Sequence, residues 1–355
     1  MDFELTEEHK LIQETARRFA REVIAPVADR NNREGRYPLE IMKQLGPLGF
    51  LGVNVPQEYG GAGAGMVAYA IVMREIAYAC AGTAVGVAVT NLAGEAIMLY
   101  GDEAQKRKYL PMLAEGEKTG CFALTEPGSG SDAASLKTTA VRNGDHYILN
   151  DEKMFITNGT YGGVFVVMAS TDRTKGAKGI SAFLVEPTFE GFAVGRKEDK
   201  MGLRTSNTVS LSFDNCRVPV ENRLGDEGIG FKMAMSTLDA GRIGVAAQAI
   251  GIASATLDAA ASYSKERSQF GRPLAAFQAI QWKLADASTA LDAAWLLTLK
   301  AAALKDVGKP HTREAAMAKV FASEAAKRIT NDALQIHGGY GYINEYPVER
   351  YFRDY

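Results

Sequence analysis

The run Phe122, Ala123, Leu124, Thr125, Glu126, Pro127, Gly128, Ser129, Gly130, Ser131, Asp132 places small residues and hydroxyl donors directly after an apolar strand end. Glycines on both sides of Ser129 let a ligand approach the backbone, and Thr125, Ser129 and Ser131 add donors. The segment therefore reads as a loop that cradles a phosphate or a cofactor. A surface turn has the same Pro-Gly and Ser-Gly pairs, and on its own the segment leaves both readings open.

Three further groups could do related chemistry. In the run from Met154 to Gly159, strand alternation sets Phe155 and Thr157 on one face, an aromatic and a hydroxyl able to flank a flat heteroaromatic ring and donate to one of its nitrogens. A core Phe beside an exposed Thr is the alternative. Lys265, Arg267 and Arg272 bracket Phe270 and Gly271 just past a predicted helix, which suits a pyrophosphate or a solvated charged loop. Gln335, Gly338, Gly339 and Gly341 close the last long helical stretch, ahead of Glu345, Pro347, Arg350 and Asp354. A helix stop accounts for one glycine; three within four residues suggest that something lies against the backbone.

Hydrophobic period supplies the scaffold for these groups. Over residues 6–24 the positions Ile12, Ala16, Phe19 and Val23 predict an amphipathic helix that Pro26 ends. Helical patterns follow at 39–45, 66–80, 92–100 and 103–113, separated by Gly- and Pro-rich connectors. From Gly120 short β-branched or aromatic runs take over at 138–142, 147–149, 164–170, 180–185 and 208–213, with turn signals at Asn143-Gly144 and Asn150-Asp151. After Gly230 long Ala-rich helical stretches occupy 231–266, 275–306 and 312–337, the pattern of a bundle. The layout is α, then β, then α.

Composition narrows the class. A net charge of -2 over 355 residues disfavours nucleic-acid binding, which needs a basic face. Cys80, Cys121 and Cys216 are widely spaced with no Cys-x-x-Cys pair, so no disulfide framework or zinc site is expected and a reducing compartment is. The start of the chain resembles neither a signal nor a transit peptide, and the apolar run 243–257 is too short to span a bilayer. A soluble cytoplasmic protein with no membrane partner is expected.

Taken together, the motifs resemble the acyl-CoA dehydrogenase family along the whole chain. Its two signatures are matched by Leu124-Thr125-Glu126-Pro127-Gly128-Ser129-Gly130-Ser131-Asp132 and by Gln335-Ile336-His337-Gly338-Gly339-Tyr340-Gly341-Tyr342 through Glu345, Arg350 and Asp354. Intervening landmarks are Pro56-Gln57-Glu58-Tyr59-Gly60-Gly61, Phe155-Ile156-Thr157-Asn158-Gly159, Lys200-Met201-Gly202 and Arg267 with Phe270-Gly271. The resemblance implies an N-terminal helical domain (1–119), a middle β-barrel (120–226) and a C-terminal four-helix bundle (227–355). It implies FAD, an acyl-CoA substrate, an electron-transferring flavoprotein as partner, and a homotetramer built as a dimer of dimers. By the same resemblance Phe122, Leu124, Thr125, Gly130 and Ser131 line the flavin and thioester, and Phe155, Ile156 and Thr157 cover the ring. Arg267, Gln278, Gln335, Gly338 and Gly339 hold the FAD of a neighbouring subunit, and Phe270 also belongs to the cofactor-binding set. Ser131, Asp239 and Arg242 contact the substrate.

The implied reaction is dehydrogenation of a short-chain acyl-CoA to its trans-2-enoyl-CoA, with closest similarity to butyryl-CoA-type members. Most of the family carries its catalytic Glu fifteen to twenty residues past the Arg-Asp matched by Arg353-Asp354, so the base is expected beyond Tyr355. A minority carries it at the position of Gly241. An FAD- and CoA-binding homologue without turnover, serving as a scaffold, is the competing expectation. Thr83 and Val87 align with the Arg and Ser that a glutaryl-CoA enzyme uses for its distal carboxylate, which disfavours a dicarboxylate substrate.

Overall fold

A computed structural model describes residues 4–355. The N-terminal part is helical: α1 (Glu7–Phe19), α2 (Ala25–Glu34), α3 (Leu39–Leu45), α4 (Gly65–Ala79), α5 (Ala81–Tyr100) and α6 (Glu103–Ala114). Thr6 caps α1 by accepting from the His9 amide. Contrary to expectation, Pro26 does not end the first helix. A π-turn over Ala20–Ile24 carries the chain into α2, where Pro26 sits in the first turn and its missing N–H costs nothing. The helix expected from residue 92 also starts earlier, at Ala81, because its first half is apolar on all sides and shows no period.

An eight-stranded sheet follows: β1 (Thr119–Ala123), β2 (Thr139–Asn143), β3 (His146–Thr157), β4 (Gly162–Ser170), β5 (Ile180–Val185), β6 (Phe192–Lys197), β7 (Thr208–Pro219) and β8 (Arg223–Leu224). Its order is β6-β7-β3-β2-β4-β5-β8, with β1 parallel to β4. Alternating residues of β1, β3, β4, β5 and β7 fill its core, Tyr147, Phe165, Phe183 and Phe213 among them.

The chain then returns to helices: α7 (Gly230–Glu266), a small hairpin of β9 (Ser268–Gln269) and β10 (Arg272–Pro273), α8 (Gln278–Asp306), α9 (Thr312–His337) and α10 (Val348–Asp354). The charged segment around Arg267 is thus a hairpin rather than an open loop. The long α7 packs on α8 and α9 and also on α4 and α5, so it belongs to both helical layers. Its stripe of Ala and Gly allows this: Gly244 lies against the Tyr69 ring and Gly251 against the Arg74 carbonyl. By length and composition α5 and α7 could cross a membrane, but most of their apolar surface is buried within the protein. Asp306, at the end of α8, accepts from the first amides of α4, Met66 and Val67, and fastens the two layers across the molecule.

Candidate active site

The first wall of the site is the loop leaving β1. Glu126 and Ser129 bond each other's backbone in both directions, closing a tight turn. Inside it the Ser129 hydroxyl donates to the Asp132 carbonyl at 2.7 Å, so this hydroxyl is spent on the loop and is not offered to a ligand. Gly130 and Ser131 face outward, and a Cβ added at Gly130 would meet nothing. Phe122, Leu124 and Thr125 are half-buried along the same edge.

The second wall is the end of β3. Between Lys153 and Ile156 the pairing with β7 shifts register, and Phe155 adopts a left-handed φ of 59°. Strict alternation would send Lys153 and Phe155 to the same face. The bulge separates them: Lys153 turns inward to zero exposure, while Phe155 stands 61% exposed with the half-exposed Thr157 beside it. Ile156 points into the β core, so only its main chain is open to a ligand. The two walls are adjacent: the Met154 amide donates to the Thr125 carbonyl at 2.9 Å. Lys153 Nζ donates to the Leu124 carbonyl at 3.2 Å and to Glu126 Oε1 at 2.7 Å.

Glu126 is no free base. Burial pushes its carboxyl up, yet the Lys153 charge and the hydrogen bonds from Lys153, Thr138 and Lys137 outweigh that and hold it below the usual carboxylate range. Asn158 fixes the far end of the wall. Fully buried at φ 67°, it donates to the Gly86 carbonyl at 3.0 Å, the Gly120 carbonyl at 3.1 Å and Thr90 Oγ1 at 3.3 Å, and accepts from the Tyr37 hydroxyl at 3.2 Å. It therefore ties β3 to α5, β1 and the loop after α2.

A second region gathers Arg267, Gln335, Gly338 and Gly339 into one cleft of about 490 Å³, with Tyr263, His337 and Tyr340. None of the residues from the first two walls lines it. Arg267 sits 5.7 Å from the centre of the Tyr340 ring, and His337 stacks on Tyr263 at 4.2 Å. His337 Nδ1 is 2.8 Å from the Ala333 carbonyl, and burial lowers the imidazole pKa. The three glycines divide their work. Gly338 ends α9 at φ 59°, ψ -136°, a conformation closed to other residues, and Gly341 packs on Leu334, where a Cβ would come within 2.7 Å of its carbonyl. Gly338 and Gly339 both face open space, with nothing within 4 Å of an added Cβ, and of the two only Gly339 is free of a left-handed φ. Phe270, 94% exposed at the tip of the hairpin, and Gln278, exposed at the start of α8, border this cleft without lining it.

Asp239 and Arg242 form an ion pair one turn apart on α7, and the Thr312 hydroxyl donates to the other Asp239 oxygen at 2.6 Å. That leaves the outer guanidinium donors of Arg242 unused at the surface. Beside them Gly241 opens onto a narrow gap between α4, α5 and α7, lined by Tyr69, Asn91, Leu92, Glu95 and Ala240. Thr83 and Val87, expected to decide on a distal carboxylate, are buried in the N-terminal core and do not border it. The charged residue there is Glu95, ion-paired with Lys305.

Lys153 and Glu95 were not singled out by sequence reasoning, and Asn158 entered only as part of the 155–159 run, with no role given. Lys153 left a faint trace, a charge between apolar positions of a strand; the partners of the other two come from distant segments.

Known proteins give the same picture. The acyl-CoA dehydrogenase N-terminal, middle and C-terminal domain models match residues 6–117, 121–216 and 228–355. A short-chain-specific acyl-CoA dehydrogenase of Clostridium acetobutylicum is 47% identical over all of this chain and 94% of its own length. The structure of butyryl-CoA dehydrogenase from Megasphaera elsdenii superposes with a TM-score of 0.98 at 47% identity, covering 100% of this chain and 94% of that one. A chain from structural work on the electron transferring flavoprotein of Acidaminococcus fermentans and its flavin-based electron bifurcation matches equally well, at TM-score 0.98 and 48% identity over 100% and 93%.

Proposed function

The chain belongs to the acyl-CoA dehydrogenase family, and from that premise we propose how its own residues serve the α,β-dehydrogenation of a short-chain acyl-CoA to the trans-2-enoyl-CoA. FAD is the cofactor and an electron-transferring flavoprotein the electron acceptor. When bound, FAD supplies the acceptor for the hydride that leaves the β-carbon. The observation that carries the reading is the pair of adjacent walls: exposed donors at Gly130 and Ser131 on one, and an aromatic ring beside a hydroxyl at Phe155 and Thr157 on the other.

These parts divide the labour. Phe155 offers a ring face for a flat cofactor, and the Thr157 hydroxyl can donate to a ring nitrogen. Leu124, Thr125 and Phe122 exclude water from the substrate side. Arg242, oriented by Asp239 and Thr312, presents its free donors to a CoA phosphate. The Arg267 cleft, which lacks every residue of the two walls, holds the diphosphate end of a neighbouring subunit's FAD, with Gly339 against it. A homotetramer in the cytoplasm completes the assignment.

We also propose that the α-proton goes to the glutamate the family carries past the Arg-Asp matched by Arg353-Asp354, and to none of the carboxylates described above. Glu126 is buried and paired, Glu95 is held by Lys305, Glu349 is bound by Arg353, and Gly241 has no side chain. Anaerobic addition of butyryl-CoA to the FAD-loaded protein tests the function. Loss of oxidised flavin absorbance, with electrons then passing to an electron-transferring flavoprotein, is expected; a perturbed spectrum with no reduction over a C4 to C8 series would favour the binding scaffold.

A further inference from the structure

A buried ion pair beneath the two walls has no part in the chemistry above. Lys153 and Glu126 are sealed from solvent, and their hydrogen bonds radiate to both walls. Glu126 takes the Lys137 amide, the Thr138 amide at 2.9 Å and the Thr138 hydroxyl at 2.6 Å. Lys153 donates to the Leu124 carbonyl. The lysine belongs to the bulged strand and the glutamate to the loop, so the pair spans the joint between them.

Stability alone is a poor reason for such a pair. Desolvating two ions costs about as much as their attraction returns, and two apolar side chains of similar volume would hold the core as well. What apolar groups lack is direction. The ammonium and carboxylate together join the Leu124 main chain to the strand that carries Phe155, at a bulge that sends Lys153 inward while Phe155 faces out.

We propose that Lys153 and Glu126 are positioning residues that set the spacing of the two flavin-facing walls, so that cofactor affinity depends on the pair more steeply than folding does. This rests on the reading of the walls as the flavin site. The pair acts through Leu124, Thr125 and Phe155 and touches neither FAD nor substrate.

The test uses the full-length holoprotein and three variants, K153M, K153M/E126Q and T138V, read by FAD dissociation constant, visible circular dichroism of the bound flavin and melting temperature. In K153M both affinity and melting temperature fall, since an unpaired carboxylate is left behind. In K153M/E126Q the melting temperature recovers part of the way toward wild type, because no buried charge remains although the new amide nitrogen faces a backbone N–H, while FAD still binds about 10-fold more weakly and its dichroism stays altered. Recovery of affinity and dichroism together with stability would overturn the proposal and leave the pair a purely structural feature. If neither lysine variant folds, T138V decides: it removes one hydrogen bond on Glu126 without exposing a charge. A several-fold weaker FAD affinity supports the proposal, and an unchanged one overturns it. A wild-type protein that fails to retain FAD would instead overturn the assignment of the walls.

Discussion

Replacing Asn158 tests how the flavin-facing strand is anchored. In Asn158→Ala the Tyr37 hydroxyl loses its acceptor inside the core, which costs about 1–3 kcal/mol. The three donated bonds are worth less, because the Gly86 carbonyl keeps the Thr90 hydroxyl as a partner. Alanine at φ 67° adds about 1–2 kcal/mol, where asparagine is tolerated. The sum is about 4 kcal/mol. At about 2.1 cal/mol/K per residue of unfolding entropy over a cooperative 355-residue unit, the melting temperature falls by about 5 °C. Asn158→Gly escapes the backbone penalty and melts above the alanine variant. Asn158→Asp, with a carboxylate facing the Gly86 and Gly120 carbonyls, melts below it. Differential scanning calorimetry of the three proteins supplies the ranking. An alanine variant within about 1 °C of wild type, or a glycine variant below it, refutes the account of Asn158 as the anchor.

The neighbouring glycines separate fold from ligand: Gly339→Ala melts like wild type but loses FAD about 10-fold more readily, whereas Gly341→Ala, pressed on Leu334, lowers the melting temperature; equal effects on both measurements would contradict the division. Gly241→Glu places a carboxylate beside Leu92, whose nearest carbon lies 3.2 Å from an added Cβ, and raises the rate of flavin bleaching by butyryl-CoA in a stopped-flow trace; an unaltered or slower rate argues that proton removal is already served elsewhere. Burial lowers the His337 pKa in the folded protein. The unfolded chain therefore binds the proton first, and stability drops as pH falls from its ordinary value of 6.5 through the lower folded one. His337→Phe keeps a ring against Tyr263 and flattens the pH dependence of melting below pH 6.5; an unchanged slope assigns that dependence to other groups.

The division into α, β and α segments was legible because period and residue type change together near Gly120 and again near Gly230. Tertiary relations were not. The Ala81–Tyr100 helix is buried on nearly every side in its first half and carries no polar stripe to reveal it. Pro26 was misread because a π-turn upstream absorbed it. At the site, alternation set Phe155 and Thr157 on one face but left the exposure of Phe155 open, and the inward turn of Lys153 two residues earlier needs a bulge that no short-range rule supplies. Thr83 and Val87 drew attention by alignment, while Glu95, one helix face further on, borders the gap beside Gly241.

Because α7 buries α4, the order of synthesis bears on how the protein survives its own production. Helix α4 is apolar around its circumference, with Ala70, Ile71, Val72 and Met73 all inaccessible in the finished fold, and much of its cover arrives only with Gly230–Glu266. At ~5–20 residues per second, translation of the intervening β segment leaves that surface uncovered for on the order of ten seconds or more. The β segment completes its ladder within itself, so it can fold in the interval and hold its two ends close together. Nascent chains paused before Gly230 should accordingly engage holdase chaperones through α4, and release them once α7 has left the ribosome.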